Sequence, residues 1–225
     1  MISAVSHLIR LARAGFVFAR EGVFALADPA QAPLPARSML KLARLLERPA
    51  GPSADNQLAN ALTRLGPTYV KLGQFLATRP DVVGMALARD LESLQDKMAP
   101  FPQSDAEAMV AAELGRPLRE AFAEFSPAVA AASIAQVHRA EIVAPDGARK
   151  PVAVKVLRPD VERRFRDDLD AFVFAARQAE NLSAEARRLR LIETVATLQR
   201  SVAIEMDLRL EAAALSEMAE NTKAD

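Results

Sequence analysis

The segment from Ala130 to Lys155 reads AAASIAQVHRAEIVAPDGARKPVAVK and carries the clearest signals of the fold. Two runs in and just beyond it, 135–143 and 151–157, are compatible with β-strands. The segment between them carries Pro-Asp-Gly at 145–147, and these three residue types favour tight turns. The pattern therefore predicts a β-hairpin formed by these two strands and the turn between them.

Composition excludes several classes of protein. The 225 residues carry 29 Lys and Arg against 29 Asp and Glu, and 51% are hydrophobic, which is typical of a folded chain and not of a disordered tail. Basic residues are not in excess over acidic ones, so we expect no nucleic-acid partner. The absence of cysteine excludes disulfides and thiolate metal sites, and His7 and His138 are too few for a histidine-based metal centre. The sequence contains no run of 18 uncharged apolar residues, so no membrane span is predicted in this segment.

Apolar periodicity and breaking residues predict three segments: an amphipathic helical part at 1–53, a helical part at 54–125, and a part at 126–225 that contains the hairpin. A break is expected at 28–35, which carries three prolines, and a joint at 49–53. Helices are predicted at 1–27, 38–47, 55–97 (broken at 66–67, 79–81 and 84), 104–114 (ended by Gly115), 161–190 (jointed at 181–183) and 191–219.

The first helix is amphipathic. Its apolar residues recur at helical spacing, and Arg10, Arg13 and Arg20 lie largely off that stripe. A basic amphipathic helix can lie on an anionic membrane surface. Docking on the protein's own core is the favoured alternative, because any surface helix shows such a stripe. The stripe consists of Val5, Leu8, Ile9, Ala12, Phe16 and Ala19.

The start of the 130–155 segment fits a phosphate-binding loop. Against the protein-kinase pattern G-x-G-x-x-G-x-V, alanines occupy the three glycine positions and Lys155 takes the place of the strand lysine. In such a site the loop covers a triphosphate, and the lysine meets its α- and β-phosphates. An alanine-rich loop that serves only packing is the alternative. The candidate cofactor-binding residues are Ala130, Ala131, Ala132, Ser133, Ile134, Ala135, Gln136, Val137 and Lys155.

A buried strand lysine needs a carboxylate partner, because an unpaired ammonium is strongly disfavoured inside a protein. Glu205 and Glu211 are candidates on the predicted 191–219 helix. Six residues correspond to about 600° of helical rotation, so the two carboxylates are expected to face different directions. They are therefore suited to two different lysines, and the alternative is that both are solvated surface charges.

A second lysine lies on the predicted helix after Gly66-Pro67. Lys71, Gln74 and Thr78 fall at i, i+3 and i+7, which places them on one helix face. Gly73 in mid-helix predicts close approach by another segment, since glycine there costs up to about 1 kcal/mol. By spacing alone, this face is equally compatible with an exposed polar stripe.

Together these motifs resemble the UbiB/ADCK atypical kinase-like family. The motifs are Lys71-x-Gly73-Gln74, the 94–102 segment LQDKMAPFP, the 131–138 segment AASIAQVH, Lys155 with Arg158-Pro159, and Glu205-x-Asp207-x-x-x-Glu211-Ala212. The resemblance implies an α+β fold: a protein-kinase-like N-lobe with a small antiparallel sheet and an added N-terminal helical extension. It also implies ATP and Mg²⁺ as cofactors and ATPase or kinase-like activity.

The resemblance further implies a role in ubiquinone (coenzyme Q) biosynthesis, in support of 2-polyprenylphenol hydroxylation. The implied partners are ubiquinone precursor lipids or ubiquinone-biosynthesis enzymes, and a membrane surface. The implied location is the cytoplasmic face of the bacterial inner membrane.

Individual site residues follow from the same resemblance. Lys155 corresponds to the ATP-phosphate lysine and Glu205 to its ion-pair partner. Lys71, Gly73 and Gln74 correspond to the regulatory Lys-x-Gly-Gln motif, with Glu211 as the partner of Lys71. In the family, this helix packs over the site where a typical kinase admits a peptide, which argues against protein phosphorylation in trans.

One kinase component is not in the sequence. No catalytic Asp and Asn loop or Asp-Phe-Gly motif follows the helix of Glu205 and Glu211. The expectation is therefore a part of a longer protein that binds nucleotide but transfers no phosphate, with the metal ligands outside this chain. The competing function is a non-enzymatic adaptor that uses the first helix to hold a membrane surface, a lipid or an enzyme.

Overall fold

The structure, a computed structural model, describes residues 4–26, 41–48, 56–94 and 98–223. The predicted break at 28–35, the joint at 49–53 and the start of the helix at Ser38 lie outside the described residues. The helices are α1 (Ala4–Arg20), α2 (described for 41–45), α3 (Gln57–Leu65), α4 (Pro67–Ala77), α5 (Pro80–Val83), α6 (Met85–Glu92), α7 (Gln103–Leu114), α8 (Leu118–Ala121), α9 (Val161–Leu182), α10 (Ala184–Arg188), α11 (Leu191–Met206) and α12 (Leu208–Asn221), with a 3₁₀ turn at Val23–Leu26. The strands are β1 (Glu124–Ala131), β2 (Ala135–Val143) and β3 (Arg149–Leu157).

The chain forms two compact units, each made from two stretches of sequence. Unit 1 comprises Met1–Gln95 and Arg163–Arg200, and unit 2 comprises Asp96–Glu162 and Ser201–Asp225. These units do not follow the three consecutive segments predicted from apolar periodicity and breaking residues, and that division stays a prediction about sequence organisation.

Helix boundaries in the first half follow glycine and proline. Gly66 and Gly84 have φ of 111° and 82°, a region that glycine adopts without the steric cost met by other residues. Pro67 and Pro80 then open α4 and α5 at positions where the missing N–H costs nothing. The predicted interruptions of the 55–97 helical region are confirmed.

In unit 1, α1 is fixed to α9 by one face. Arg10 donates to the carboxylates of Asp167 and Asp168 at 2.6 and 2.9 Å, and the ring of His7 stacks on Phe174 at 5.6 Å. The predicted apolar stripe is mostly on the other face and exposed. The favoured docking of that stripe on the protein's own core is therefore wrong: the polar contacts of Arg10 decide which face turns inward.

Gly73 lies where α4 is packed most closely within unit 1. A Cβ at this position would overlap Leu94 Cδ1 and lie 2.7 Å from Leu62 Cδ1. Both leucines are buried, as is Leu91 at 3.4 Å, so they have little room to move. The close approach predicted from the mid-helix glycine is confirmed.

Unit 2 contains a three-stranded antiparallel sheet in the order β1-β2-β3. The second strand coincides with the predicted 135–143 run, and β3 begins two residues before the predicted start. In the register, Val137 on β2 lies opposite Lys155 on β3 and Ala130 on β1. The predicted hairpin is confirmed.

One face of this sheet forms the core of unit 2. Ala106 and Val110 from α7 pack with Val156 from β3, and the cluster is completed by partly buried residues. Because successive strand residues point to opposite faces, Lys155 projects from the face away from this core. The partly buried members of the cluster are Phe101, Met109, Leu118, Phe122, Phe125 and Val154.

Candidate functional site

The alanine-rich segment forms a tight connection between β1 and β2 at residues 132–134. The N–H of Ala132 donates to the carbonyl oxygen of Ala135 at 2.8 Å, which closes the turn. Among the described non-glycine residues, only Asp160 and Arg190 have positive φ. The loop backbone is therefore compatible with alanine at the three glycine positions, because none of them requires a positive φ.

Arg158 holds this loop from the end of β3. Its backbone N–H donates to Ile134 O at 2.8 Å, and its Nε and Nη2 donate to Ala132 O at 3.0 and 2.9 Å. Nη2 also donates to Ala99 O at 2.8 Å, so one guanidinium joins the loop to the segment before α7. From the sequence, Arg158 was predicted only as part of a family motif and not as a residue that holds the loop. The available signal for this role was its position directly after a predicted strand and before a proline.

Lys155 projects from the sheet face on which Val137 lies directly opposite it. Ala153, two residues earlier on β3, shares this face because strand side chains alternate. The Lys155 side chain is 33% exposed, so its ammonium is within reach of solvent. The sheet thus presents a cation beside small apolar side chains, next to the β1–β2 loop.

The carboxylate partner of Lys155 is Glu211. Lys155 Nζ donates to Glu211 Oε2 at 2.6 Å, and the Glu211 side chain is 48% exposed. This pairing corrects the expectation that Glu205 would be the partner. Any other role of Glu205, and the pairing of Lys71 with Glu211, stay predictions.

The physical reason for the correction lies at Asp207. The predicted continuous helix breaks there, and Asp207 adopts φ −84° and ψ 85° between α11 and α12. Its side chain caps α12 by accepting from the backbone N–H of Arg209 at 3.2 Å. Hydrogen bonding from the Arg209 guanidinium lowers the pKa of Asp207. The two glutamates therefore lie on separate helices, and the rotation computed for one helix does not apply.

Gln136 belongs to the core of unit 2. Its Oε1 accepts from Phe101 N–H at 2.9 Å, and its Nε2 lies 3.0 Å from His138 Nε2. His138 Nδ1 lies 2.8 Å from Ser126 O, which requires a hydrogen on Nδ1 and leaves Nε2 to accept from Gln136. Both side chains are at most 1% exposed. The Gln136 side chain is committed to this network, so it is not suited to the predicted cofactor contact.

The Lys-x-Gly-Gln residues lie on α4 in unit 1. Lys71 and Gln74 are half-buried, and Gly73 is buried against its leucine neighbours. Thr78 is exposed at the end of the helix, where its hydroxyl donates to Phe75 O at 2.7 Å. Of the predicted site residues, the structure brings the loop, Lys155 and Glu211 together in unit 2.

Two features are absent from the described part of the chain. Within 4–26, 41–48, 56–94 and 98–223, no group of three or more His, Asp or Glu side chains is arranged to hold a metal ion. Over the same ranges, no helix combines the length and the apolar character needed to span a bilayer.

An antiparallel sheet with a tight β1–β2 loop and a carboxylate-paired lysine on β3 defines a protein-kinase-like N-lobe. The chain belongs to the ABC1 atypical kinase-like family, whose domain model matches residues 93–225. The predicted resemblance to the UbiB/ADCK family is confirmed, as is the α+β fold class with a kinase-like N-lobe and a helical extension.

Curated relatives agree with this assignment. "Probable protein kinase UbiB" of Marinobacter nauticus is 38% identical over 220 residues, which cover 96% of this chain and 39% of the relative. The protein of that name from Xanthomonas euvesicatoria is 39% identical over 214 residues, covering 92% and 38%. That from Pseudomonas aeruginosa is 39% identical over 166 residues, covering 73% and 30%. The chain spans about two fifths or less of the length of these relatives, and no solved structure matches it.

Proposed function

We propose that this chain forms the ATP-binding N-terminal part of a kinase-like or ATPase-like protein. The observation that supports this most directly is the position of Lys155, which is paired with Glu211 and lies beside the β1–β2 loop. A carboxylate that orients a strand lysine is the arrangement by which kinases hold the α- and β-phosphates. When bound with Mg²⁺, ATP supplies the phosphoryl group for transfer.

The residues present fit the nucleotide in a specific way. The Lys155 ammonium carries three hydrogens, and Glu211 accepts one of them. Val137 and Ala153 offer small apolar contacts for a base on the same face. The N–H of Ala132 is already donated to Ala135, so the loop has fewer donors for phosphate than a glycine loop with open N–H groups. We therefore assign phosphate binding to Lys155 first and to the loop second. We assign Mg²⁺ to no described side chain.

We further propose a role in ubiquinone biosynthesis, in support of the 2-polyprenylphenol hydroxylation step. The name of the relatives supports this context. The protein would act at the cytoplasmic face of the bacterial inner membrane, with ubiquinone precursor lipids or ubiquinone-biosynthesis enzymes as partners. The assignment is tested in a strain that lacks its endogenous relative of this protein. A longer relative that carries the substitutions under test is expressed in that strain, and its growth on a respiratory carbon source is measured.

The second candidate function is a membrane-surface adaptor that holds a lipid or an enzyme without catalysis. The observation that favours it is the apolar stripe of α1, which the packing of unit 1 leaves exposed except at Ala19. Nucleotide binding distinguishes the two functions, because an adaptor of this kind requires none.

The deciding experiment is a calorimetric titration of the 225-residue chain with MgATP. We expect Lys155→Ala to weaken binding by about tenfold or more, since it removes a charged contact to phosphate. Lys150→Ala, at an exposed lysine of the same strand, is the matched control and should bind like the parent. Equal affinities for the parent and Lys155→Ala, or no binding by the parent, would contradict the proposal.

A further inference from the structure

Most of the outward face of α1 is an exposed apolar surface, and of the stripe residues only Ala19, near the end of the helix, is buried. Val5, Leu8, Ile9 and Phe16 are 64%, 56%, 65% and 52% exposed. At about 100° per residue, these side chains and the exposed Ala12 fall within an arc of about 100° around the helix axis. Four large exposed apolar side chains aligned on one helix indicate a binding surface more strongly than scattered single residues do.

The charged side chains that α1 itself contributes are all positive. The α1 sequence AVSHLIRLARAGFVFAR contains three arginines and no aspartate or glutamate. Arg13 is exposed, and the Arg20 guanidinium lies 5.9 Å from the Phe16 ring centroid. On the helical wheel, Arg13 and Arg20 lie about 60–80° from Val5, along one edge of the apolar arc. A ligand for this face must therefore tolerate apolar contact and supply negative charge.

The helix that carries the surface is preformed. Its inner face is fixed by the two ion pairs of Arg10 with Asp167 and Asp168 and by burial of Ala14, which is 5% exposed. Because these contacts use the side opposite Val5, the apolar arc is presented without any need for refolding. Binding at this face therefore requires little additional ordering of the helix.

We propose that the outer face of α1 binds the surface of an anionic lipid bilayer, with the helix lying parallel to the membrane plane. Val5, Leu8, Ile9 and Phe16 enter the boundary between headgroups and acyl chains, and Arg13 and Arg20 meet the anionic headgroups. A second copy of the chain fits less well, because α1 has no carboxylate to compensate the same arginines brought together. This inference specifies the surface for the proposed membrane location and is independent of nucleotide binding.

The chain contains no tryptophan, which allows a site-specific test. Phe16→Trp places a single fluorophore within the apolar arc, and Leu182→Trp places one at an 86% exposed position outside it. With phosphatidylglycerol vesicles, we expect the emission of Phe16→Trp to shift to the blue and that of Leu182→Trp to stay unchanged. The shift should be weaker at high salt and weaker still with phosphatidylcholine vesicles. No shift for Phe16→Trp, or equal shifts for both variants, would overturn the proposal.

Co-sedimentation of the chain with the same vesicles gives an independent measure. Ile9→Glu should weaken binding to phosphatidylglycerol by about tenfold or more, because it places a carboxylate at the apolar boundary. Leu182→Glu, with the same charge change at an exposed leucine, should bind like the parent. If Ile9→Glu instead dissociates a dimer detected by light scattering without lipid, the face pairs two copies and the proposal is wrong. MgATP titration of the same preparations separates a failure here from a failure of nucleotide binding.

Discussion

The guanidinium of Arg158 donates two hydrogen bonds to the carbonyl oxygen of Ala132, at 3.0 and 2.9 Å. These bonds turn that carbonyl toward the end of β3, while the N–H of the same residue bonds to Ala135. Both backbone polar groups of Ala132 are thus occupied within the protein. The shape of the loop is set by these contacts and by the bond from Arg158 N–H to Ile134 O.

Replacing Arg158 by lysine should loosen the β1–β2 loop, because an ammonium cannot reproduce the planar fork that spans Ala132 and Ala99. We expect faster hydrogen exchange at the Ala132 amide and weaker MgATP binding. Arg139→Lys, at an exposed arginine on β2, is the control and should change neither. Unchanged exchange in Arg158→Lys would show that the guanidinium contacts do not hold the loop.

Ala132→Gly tests whether the alanine-rich loop weakens phosphate binding. The Ala132 backbone has no positive φ, so glycine relieves no strain and is expected to lower stability by about 0.4–1 kcal/mol through chain entropy. In exchange, the more mobile loop should expose N–H groups, and the ratio of ATP to ADP affinity should change. Calorimetry with both nucleotides measures this ratio. Unchanged affinities would show that the loop does not contribute to phosphate binding.

The Lys155–Glu211 pair should contribute little to stability. Both side chains are partly exposed, and double-mutant cycles on such pairs give about 0.2–1 kcal/mol. Urea denaturation of Lys155→Met, Glu211→Gln and the double variant measures this coupling. The single change Glu211→Gln is expected to weaken MgATP binding, since Lys155 loses its orienting carboxylate. Glu205→Gln serves as the comparison, and a larger effect there would restore the predicted Glu205 pairing.

Gly73→Ala should destabilise the chain by about 1–3 kcal/mol, because the new methyl group overlaps Leu94 and approaches Leu62 in a packed core. Gly15→Ala in α1 is a matched change, with no atom within 4 Å of the added methyl group. That variant should be more stable by about 0.5–1 kcal/mol through helix propensity. Relative to the parent, the denaturation midpoint should fall for Gly73→Ala and rise for Gly15→Ala. Equal midpoints for the two variants would contradict the structure.

The only tyrosine of the chain reports on the core of unit 1. Burial, followed by the charge of Asp168, raises the pKa of Tyr69 to about 12. The folded state therefore favours the neutral phenol. Its contribution to stability is fully present below about pH 10, the unfolded pKa, and is lost as the pH rises through about 12. Near-ultraviolet absorbance of tyrosinate should titrate about two units higher in the folded chain than in urea, and coincident curves would contradict burial of Tyr69.

Sequence predicts best where a single residue dictates the backbone. Glycine and proline fix the ends of α3 to α5, and the Pro-Asp-Gly turn fixes the hairpin, because these preferences act within a few residues. The inward face of α1 was not predictable in this way. Periodicity shows that a stripe exists, but the partners of Arg10 lie on α9, more than 150 positions along the chain.

Site residues show the same limit. Family resemblance identified Lys155 and both glutamates, and the break at Asp207 then decided which carboxylate reaches the lysine. That break depends on one side-chain cap and on the ψ of one residue. The contacts of Gln136 with Phe101 and of Arg158 with Ala99 join positions 35 and 59 residues apart, which no local pattern specifies.

The 56 positions between Lys155 and Glu211 have a consequence during synthesis. At roughly 5–20 residues per second, several seconds pass on the ribosome between the emergence of the lysine and that of its carboxylate. The sheet and α7 precede α12 in the chain, so the Ala106, Val110 and Val156 cluster can form before the ion pair. The nascent sheet can therefore set its register through its backbone pairing and apolar packing without this ion pair, which is added to a surface that has already folded.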